Sequence, residues 1–188
     1  RGSSNGVVAF TPTPEDYAFM AGADVIHTGD SSFLDEHVAE LAAIAPVSFD
    51  FSIKPRDYCE RLLPQVTYAT FSRPGLSPDE VNDLIGWARD LGASEVFVTQ
   101  GEAGSYSWAD GRLHYEPASA ASQIVDTLGA GDSFIAGMLV ARLAGAPLDA
   151  AAARASALAA QSCGTLGAFG YAEPAARMTV ASDHRFAS

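Results

Sequence analysis

The stretch VDTLGAGDSFIAGM, residues 125–138, places three residues with almost no side chain, Gly129, Ala130 and Gly131, directly before a carboxylate, Asp132. Asp132 opens an apolar run with helical spacing: Phe134, Ile135, Met138, Leu139 and Leu143 face inward in a helix over 132–144. A helix start presents unpaired N–H groups and a partial positive charge. Stripping the side chains from that tip lets an anion reach the amides. The preceding QIVDT (123–127) reads as a strand, so the order is strand, turn, helix, the place where open α/β sheets bind ligands. Asp132 itself has two readings. A carboxylate in the first turn is favoured by the helix dipole, so it is a cap. Alternatively it acts on a substrate: phosphoryl transfer needs donors for the charge on the moving group and a carboxylate to take the proton of the attacking hydroxyl.

The flanking sequence alternates strand and helix. ADVIHTG (23–29) is a short apolar strand closed by Gly. Residues 31–45 carry Phe33, Leu34, Val38, Leu41 and Ile44 at helical spacing, with Ser31 or Ser32 as the N-cap. PVSFDF (46–51) is a strand, 55–65 a short helix opened by Pro55 and ended near Pro64, and VTYATF (66–71) a strand. Ser77-Pro78-Asp79-Glu80 is a capping box before a helix whose apolar face runs Val81, Leu84, Ile85, Ala88, Leu91, with Gly92 as its stop. SEVFVTQG (94–101) is a strand, and 104–116 a hairpin turning at Ala109-Asp110-Gly111. Residues 148–163 form an Ala-rich helix suited to close packing. Such alternation with short connections predicts an α/β architecture with a mostly parallel sheet.

Charge narrows the partners. With 11 basic against 23 acidic residues the net charge is −12, which repels nucleic acid and anionic membrane surfaces. An anionic ligand must then be neutralised locally, as the helix tip allows. No apolar run nears the roughly 20 residues of a membrane helix. Cys59 and Cys163 match no metal spacing and read as buried free thiols of a reducing compartment, the cytoplasm. The opening RGSSNGVVAF, without an initiator Met or a capped helix, reads as a sequence entered midway, and RMTVASDHRFAS as a loosely held tail.

DTLGAGDSFIAGML (126–139) resembles the second signature of the ribokinase-like (PfkB) carbohydrate kinases, Asp-Thr-x-Gly-Ala-Gly-Asp, at every fixed position. VFVTQGEAGSYSW (96–108) is similar to the family's nucleotide-side strand and hairpin, Thr-x-Gly-x-x-Gly. GTLGAFG (164–170) looks like its late loop near the adenine, and VSFDFSIKPR (47–56) like its strand with an Asp near the triphosphate. EDYAFMAGADVIHTG and FDFS look like the fructoselysine 6-kinase branch. The resemblance implies a ribokinase-like three-layer α/β/α fold with a mostly parallel central sheet. Residues 1–188 would form one α/β domain, the C-terminal two thirds of such a kinase, without its N-terminal strands and most of the sugar-covering lid. Residues 1–10 would be the lid's remnant.

The same resemblance implies ATP-dependent phosphorylation of a sugar hydroxyl, on a ketose or fructosamine of the fructoselysine type, with fructose next. Asp132 becomes the general base, and Gly129, Ala130, Gly131 and the Asp132 amide the anion hole. Thr99, Gly101 and Gly104 fall on the nucleotide side. Asp126 orders the loop, with a monovalent cation nearby, and Gly167 and Ala168 border the adenine. Mg²⁺ accompanies ATP. The partners are then a small sugar and ATP, with room for a homodimer. The family's Asn-x-x-Glu motif has no clear counterpart in FSRPGLSPDE (71–80), Glu80 being a capping-box residue, and Ser52 stands where many members carry Asn. The metal ligands therefore stay unassigned.

His27 and Asp30 fall at a strand's carboxyl end, as sugar ligands or as ordinary core and loop residues. Asp50 is a phosphate-side candidate. Lys54 and Arg56 read as phosphate contacts or solvated loop charges. Trp87 and Trp108 read as packing residues, and His114 and His184 show no metal spacing. A function of another class stays open, a catalytically inactive nucleotide- or sugar-phosphate-binding remnant of a kinase. Intact Asp132 counts against that reading, and the absent first third counts for it.

Overall fold

The computed structural model describes residues 10–168. The six-stranded sheet runs in chain order, β1 (Ile26–Gly29), β2 (Val47–Asp50), β3 (Tyr68–Ser72), β4 (Glu95–Thr99), β5 (Ser105–Ala109) and β6 (Arg112–Glu116). The first four are parallel; β5 and β6 add an antiparallel hairpin. The hairpin turn is two residues, Asp110 and Gly111, both at positive φ (54° and 77°). That geometry matches the right-handed twist of the strands it joins.

Three helices connect the parallel strands: α2 (Val38–Ala42), α3 (Arg56–Leu62) and α4 (Pro78–Asp90). Right-handed crossovers between neighbouring strands put all three on one face. Their Val38, Leu41, Cys59, Leu62, Val81, Leu84 and Ile85 share a core with Phe49, Phe51, Phe71, Val96 and Val98 of the strands and their ends. Phe51 stacks on Phe71 with ring centroids 5.2 Å apart. On the opposite face, α5 (Ala130–Leu143) and α6 (Leu148–Ser162) pack on Phe97, through Phe134, Met138, Leu148, Ala151 and Ala155. β4 thus sends Val96 and Val98 to one layer and Phe97 to the other, as strand alternation requires. Thr99, two residues beyond Phe97, falls on the α5 side. The expected three-layer α/β/α arrangement is what forms. No helix among the described residues is long and apolar enough to cross a membrane.

The Ala-rich α6 packs as closely as its composition predicts. A Cβ added at Gly137 of α5 would lie 2.8 Å from the Ala155 Cα. Gly137→Ala gains helix propensity, yet it forces two backbones apart, and overpacking of this kind costs about 1–3 kcal/mol. Thermal or urea unfolding of the variant should show the loss; an unchanged midpoint would contradict this packing. At the other end of α5, the Arg142 guanidinium reaches Glu95 of β4 at 2.9 Å and Asp110 of the hairpin turn at 2.8 Å, tying helix to sheet.

Several expectations are corrected. Residues 123–127 are not a strand. The sheet beyond β4 is already taken by the hairpin, and the segment instead crosses to α6, where the Val125 and Asp126 amides donate to the Cys163 carbonyl (2.8 and 3.2 Å). Its Ile124 and Val125 stay exposed rather than entering a sheet. The helix expected over 31–45 shrinks to a 3-10 turn at Asp35–His37 followed by α2. Ser32 does not cap it: its hydroxyl donates to the Gly29 carbonyl at 2.6 Å, closing a turn that leaves Phe33 at φ 60° and exposed. Leu143 is exposed at the end of α5, and Cys163 is only half-buried. One helix escaped the sequence reading, α1 (Pro14–Met20). It opens with Thr13-Pro14-Glu15-Asp16, the same capping box as Ser77–Glu80, but none of its residues is buried, so no apolar stripe announced it. The opening RGSSNGVVA and the chain's last twenty residues, with His184, lie outside the described residues.

Candidate active site

Gly129 is the pivot of the site. It sits at the N-cap of α5 with φ 81° and ψ 0°, a left-handed conformation that suits glycine. A Cβ there would meet Ala168 at 2.7 Å, so the turn before α5 and the segment through Ala168 come into direct contact. Asp126 fastens the two segments together. One carboxylate oxygen accepts from the Leu128 amide and the other from the Gly167 amide, both at 3.0 Å. These amides hold its carboxyl below the ordinary carboxylate range. Gly167 adopts φ 71° to make the contact.

The helix tip is not uniformly open. The Ala130 N–H donates to the Thr127 carbonyl at 3.2 Å and closes the turn, and the Ser133 N–H starts the helical ladder on the Gly129 carbonyl. The Gly131 and Asp132 amides lie between them, where a helix has no acceptor of its own. Ala130, read from the sequence as part of the anion hole, therefore shapes the turn, and Gly131 and Asp132 present the donors. A Cβ at Gly131 would meet nothing within 4 Å, so this glycine is bare toward open space. Among the described residues no side-chain hydrogen bond caps α5. Asp132 is exposed in the first turn, outside every ion pair found there.

Opposite the tip lie the carboxyl ends of the parallel strands. A pocket of about 230 Å³ is walled by Asp50, Ser52, Thr70, Ser72 and Thr99 on the sheet side and by Gly131, Asp132 and Ile135 on the helix side. Parallel register brings the sheet residues together: Asp50 pairs with Thr70, and Ser72 with Thr99. The Asp50 carboxylate accepts from the Ser52 amide at 2.8 Å, which holds Ser52 at φ 48°. Arg73 braces the same turn, its guanidinium donating to the Ser52, Ser72 and Lys54 carbonyls.

Acidic groups dominate the electrostatics. Enclosure pushes the Asp50 carboxyl above the ordinary carboxylate range, and the charges of Asp30 and Asp132 add to the rise, against the Ser52 amide and His27. Surrounding protein holds the His27 imidazole below its usual value, opposed by Asp50 and Asp132. His27 Nδ1 lies 3.0 Å from the Ser48 hydroxyl. Asp30 pairs with Lys54 at 3.4 Å. His27, Asp30, Asp50 and Asp132 thus share one field at the strand ends. Because Asp50 is harder to ionise folded than unfolded, its contribution to stability is fully present below the unfolded carboxylate pKa and is lost as pH rises through the raised one. Asp50→Asn keeps the oxygen that accepts from Ser52, so at neutral pH it should unfold at a higher temperature than the parent, the gap closing in acid. A gap independent of pH, or a loss of stability at pH 7, would contradict this.

The remaining residues sort by distance from the pocket. Thr99 is in its wall. Gly101 opens the 3-10 turn after β4 at φ 61°, with open space around it. Gly104, at φ 92°, is pressed against Glu116, Pro117 and Ala118, which leaves no room for a side chain; it fixes the hairpin rather than facing the pocket. Arg56 lies over Trp87 and Arg89 over Trp108, at 4.8 and 3.8 Å from the ring centroids, so both tryptophans pack under cations. His114 pairs with Glu116 at 2.9 Å. Thr70, Ser72 and Arg73 were missed in the sequence: a hydroxyl inside a strand carries no signal until register sets it beside a carboxylate.

Among the described residues no three His, Cys, Asp or Glu side chains converge, so no all-protein metal cage exists there. The side-chain donors that line the pocket are two carboxylates, Asp50 and Asp132, and the hydroxyls of Ser52, Thr70, Ser72 and Thr99. Such an oxygen set fits Mg²⁺, which keeps several waters and takes few protein ligands.

A family model described as "pfkB family carbohydrate kinase" matches residues 12–174. The fructosamine kinase FrlD of Bacillus subtilis (strain 168) is 42% identical over 161 residues, covering 85% of this chain and 56% of that protein. The fructoselysine 6-kinase of Escherichia coli (strain K12) is 37% identical over 162 residues, covering 84% of this chain and 61% of that protein. This chain therefore spans between half and two thirds of the length of these relatives. Among solved structures, an Arabidopsis thaliana ribokinase complexed with ribose and ATP superposes with a TM-score of 0.71 at 22% identity, over 83% of this chain and 55% of that one. A ribokinase-type protein from E. coli in complex with ATP and Mg²⁺ gives 0.69 at 21%, over 81% and 56%. The fold is the one these kinases share.

Proposed function

Because this chain belongs to the pfkB family of carbohydrate kinases, we propose that it carries the phosphoryl-transfer half of an ATP-dependent sugar kinase acting on a fructosamine of the fructoselysine type. The observation that carries the proposal is the pairing of Asp132, a carboxylate unengaged among the described residues, with the open Gly131 and Asp132 amides on one edge of a pocket. Asp132 accepts the proton of the attacking sugar hydroxyl, and the tip amides stabilise the charge that develops on the transferred phosphoryl group. Thr99 lies on the phosphate side, and the loop through Gly167 and Ala168, tied to the tip by Asp126, borders the adenine. His27 and Asp30, at the end of β1, face the sugar. Mg²⁺ travels with ATP and shields the charge between its phosphates. The two relatives named for fructosamine and fructoselysine support the substrate class.

The test is ADP release measured with fructoselysine, fructose and ribose, on this chain and on the full-length protein side by side. The expected result is turnover that depends on sugar and favours the fructosamine. Nucleotide binding without sugar-dependent turnover in both proteins would instead make the chain a silent nucleotide-binding remnant.

A further inference from the structure

Among the described residues β6 is an outer edge of the sheet, at the far end from β1. The two-residue turn at Asp110-Gly111 fixes which of its backbone groups point inward. Arg112, His114 and Glu116 form the hydrogen-bonded rungs of the ladder with Ala109, Ser107 and Ser105 of β5. The N–H and C=O groups of Leu113 and Tyr115 therefore point away from β5. No turn, loop or cap hydrogen bond among the described residues takes them up. The edge also lacks the usual guards against pairing: no Pro, no Lys and no bulge interrupts Arg112–Glu116. One face of it is apolar. Leu113 and Tyr115 extend past Trp108 and Tyr106 and stay 36% and 47% exposed.

We propose that β6 pairs antiparallel with β6 of a second copy of this chain, about a two-fold axis through His114. The strand Arg112-Leu113-His114-Tyr115-Glu116 is complementary to itself under that operation. Leu113 falls opposite Tyr115 of the second copy, and these are the residues whose backbone groups point outward, so each pair exchanges both hydrogen bonds. Arg112 falls opposite Glu116 of the second copy, and the axis repeats the ion pair. Sliding the strands by one residue sets the apolar face against the polar one, and sliding them by two separates Arg112 from Glu116. Charge favours this edge over the rest of the surface. Two copies of net charge −12 repel each other, whereas β6 carries one Arg and one Glu. Arg112 now meets Asp149 at 3.2 Å in a pair more than half exposed on both sides, which holds the guanidinium weakly. One strand pair makes a small interface, so the dimer is weak and concentration-dependent. The pairing does not rest on the kinase reading.

The test is sedimentation equilibrium of the whole chain over a concentration series, with Arg112→Glu, Glu116→Arg and the double exchange beside the parent. The parent should form a reversible dimer. Each single change sets like charges opposite each other on both sides of the axis and should raise the dissociation constant about tenfold. The exchange restores both pairs and should return it to within about threefold of the parent. Within one chain Arg112 and Glu116 lie about 13 Å apart along the strand, so only pairing between copies predicts the rescue. A second measurement reads the axis even where a charge variant fails to fold. His114→Cys places a thiol opposite its own copy, and mild oxidation should link it into a dimer; Leu113→Cys, opposite Tyr115, should not link. A parent that stays monomeric up to about 0.5 mM, a dimer indifferent to the single changes, losses that the exchange does not restore, or equal linking of the two cysteine variants overturns the pairing.

Discussion

Asp132→Asn is expected to lower sugar-dependent turnover by about 10²–10⁴-fold, the range for losing a general base. The substitution is nearly isosteric, and among the described residues the wild-type carboxylate carries no cap, ion pair or core contact whose loss would unfold the chain. Nucleotide affinity and melting temperature should therefore stay close to those of the parent. This separation distinguishes catalysis from capping. If Asp132 only favoured the helix through the dipole, its loss would cost about 0.3–1 kcal/mol of stability and leave the rate alone. The measurement is steady-state kinetics beside thermal unfolding; a variant that keeps more than a few per cent of the parental rate excludes Asp132 as the base.

Gly129→Ala should act through both fold and rate. At φ 81° an alanine pays about 1–2 kcal/mol of backbone strain, and its methyl would strike Ala168. The turn must open, the loop held by Asp126 must move, and the tip amides shift with it. Displacements near 1 Å at such a site cost roughly 100-fold in rate. Gly131→Ala is the informative contrast. Gly131 is helical with nothing within 4 Å of an added methyl, so stability should hold or improve. In the proposed mechanism the methyl nevertheless stands where the phosphoryl group approaches the amides, and turnover should fall without any loss of melting temperature. Equal stability losses in both variants would contradict the distinction drawn between the two glycines.

Why the glycines, the helix and the carboxylate were legible in the sequence is plain from their physics. Bare residues before an acid and a helical apolar stripe are local patterns, and each maps onto local structure. The capping box at Ser77 and the hairpin at Asp110-Gly111 were legible for the same reason. What stayed hidden was set at longer range. QIVDT has the composition of a strand, but whether it pairs depends on a free sheet edge, and the hairpin occupies the one beside β4. The helix expected over 31–45 was overridden by the Thr28–Ser32 turn, whose hydroxyl bonds take residues that helical spacing had claimed. Thr70 and Ser72 were silent because parallel register alone brings them beside Asp50 and Thr99. The site's bare tip was thus visible in the chain, whereas the wall facing it appears only once the sheet is assembled.

The central claim is that the α5 tip receives the terminal phosphate of a nucleotide while Asp132 faces the hydroxyl that attacks it. A crystal structure with a non-hydrolysable ATP analogue and a fructosamine tests it most directly. The expected result places the terminal phosphate within hydrogen-bond distance of the Gly131 and Asp132 amides, with the Asp132 carboxylate against the sugar's reacting hydroxyl. A terminal phosphate bound away from that tip, or an Asp132 turned from the sugar, would contradict it.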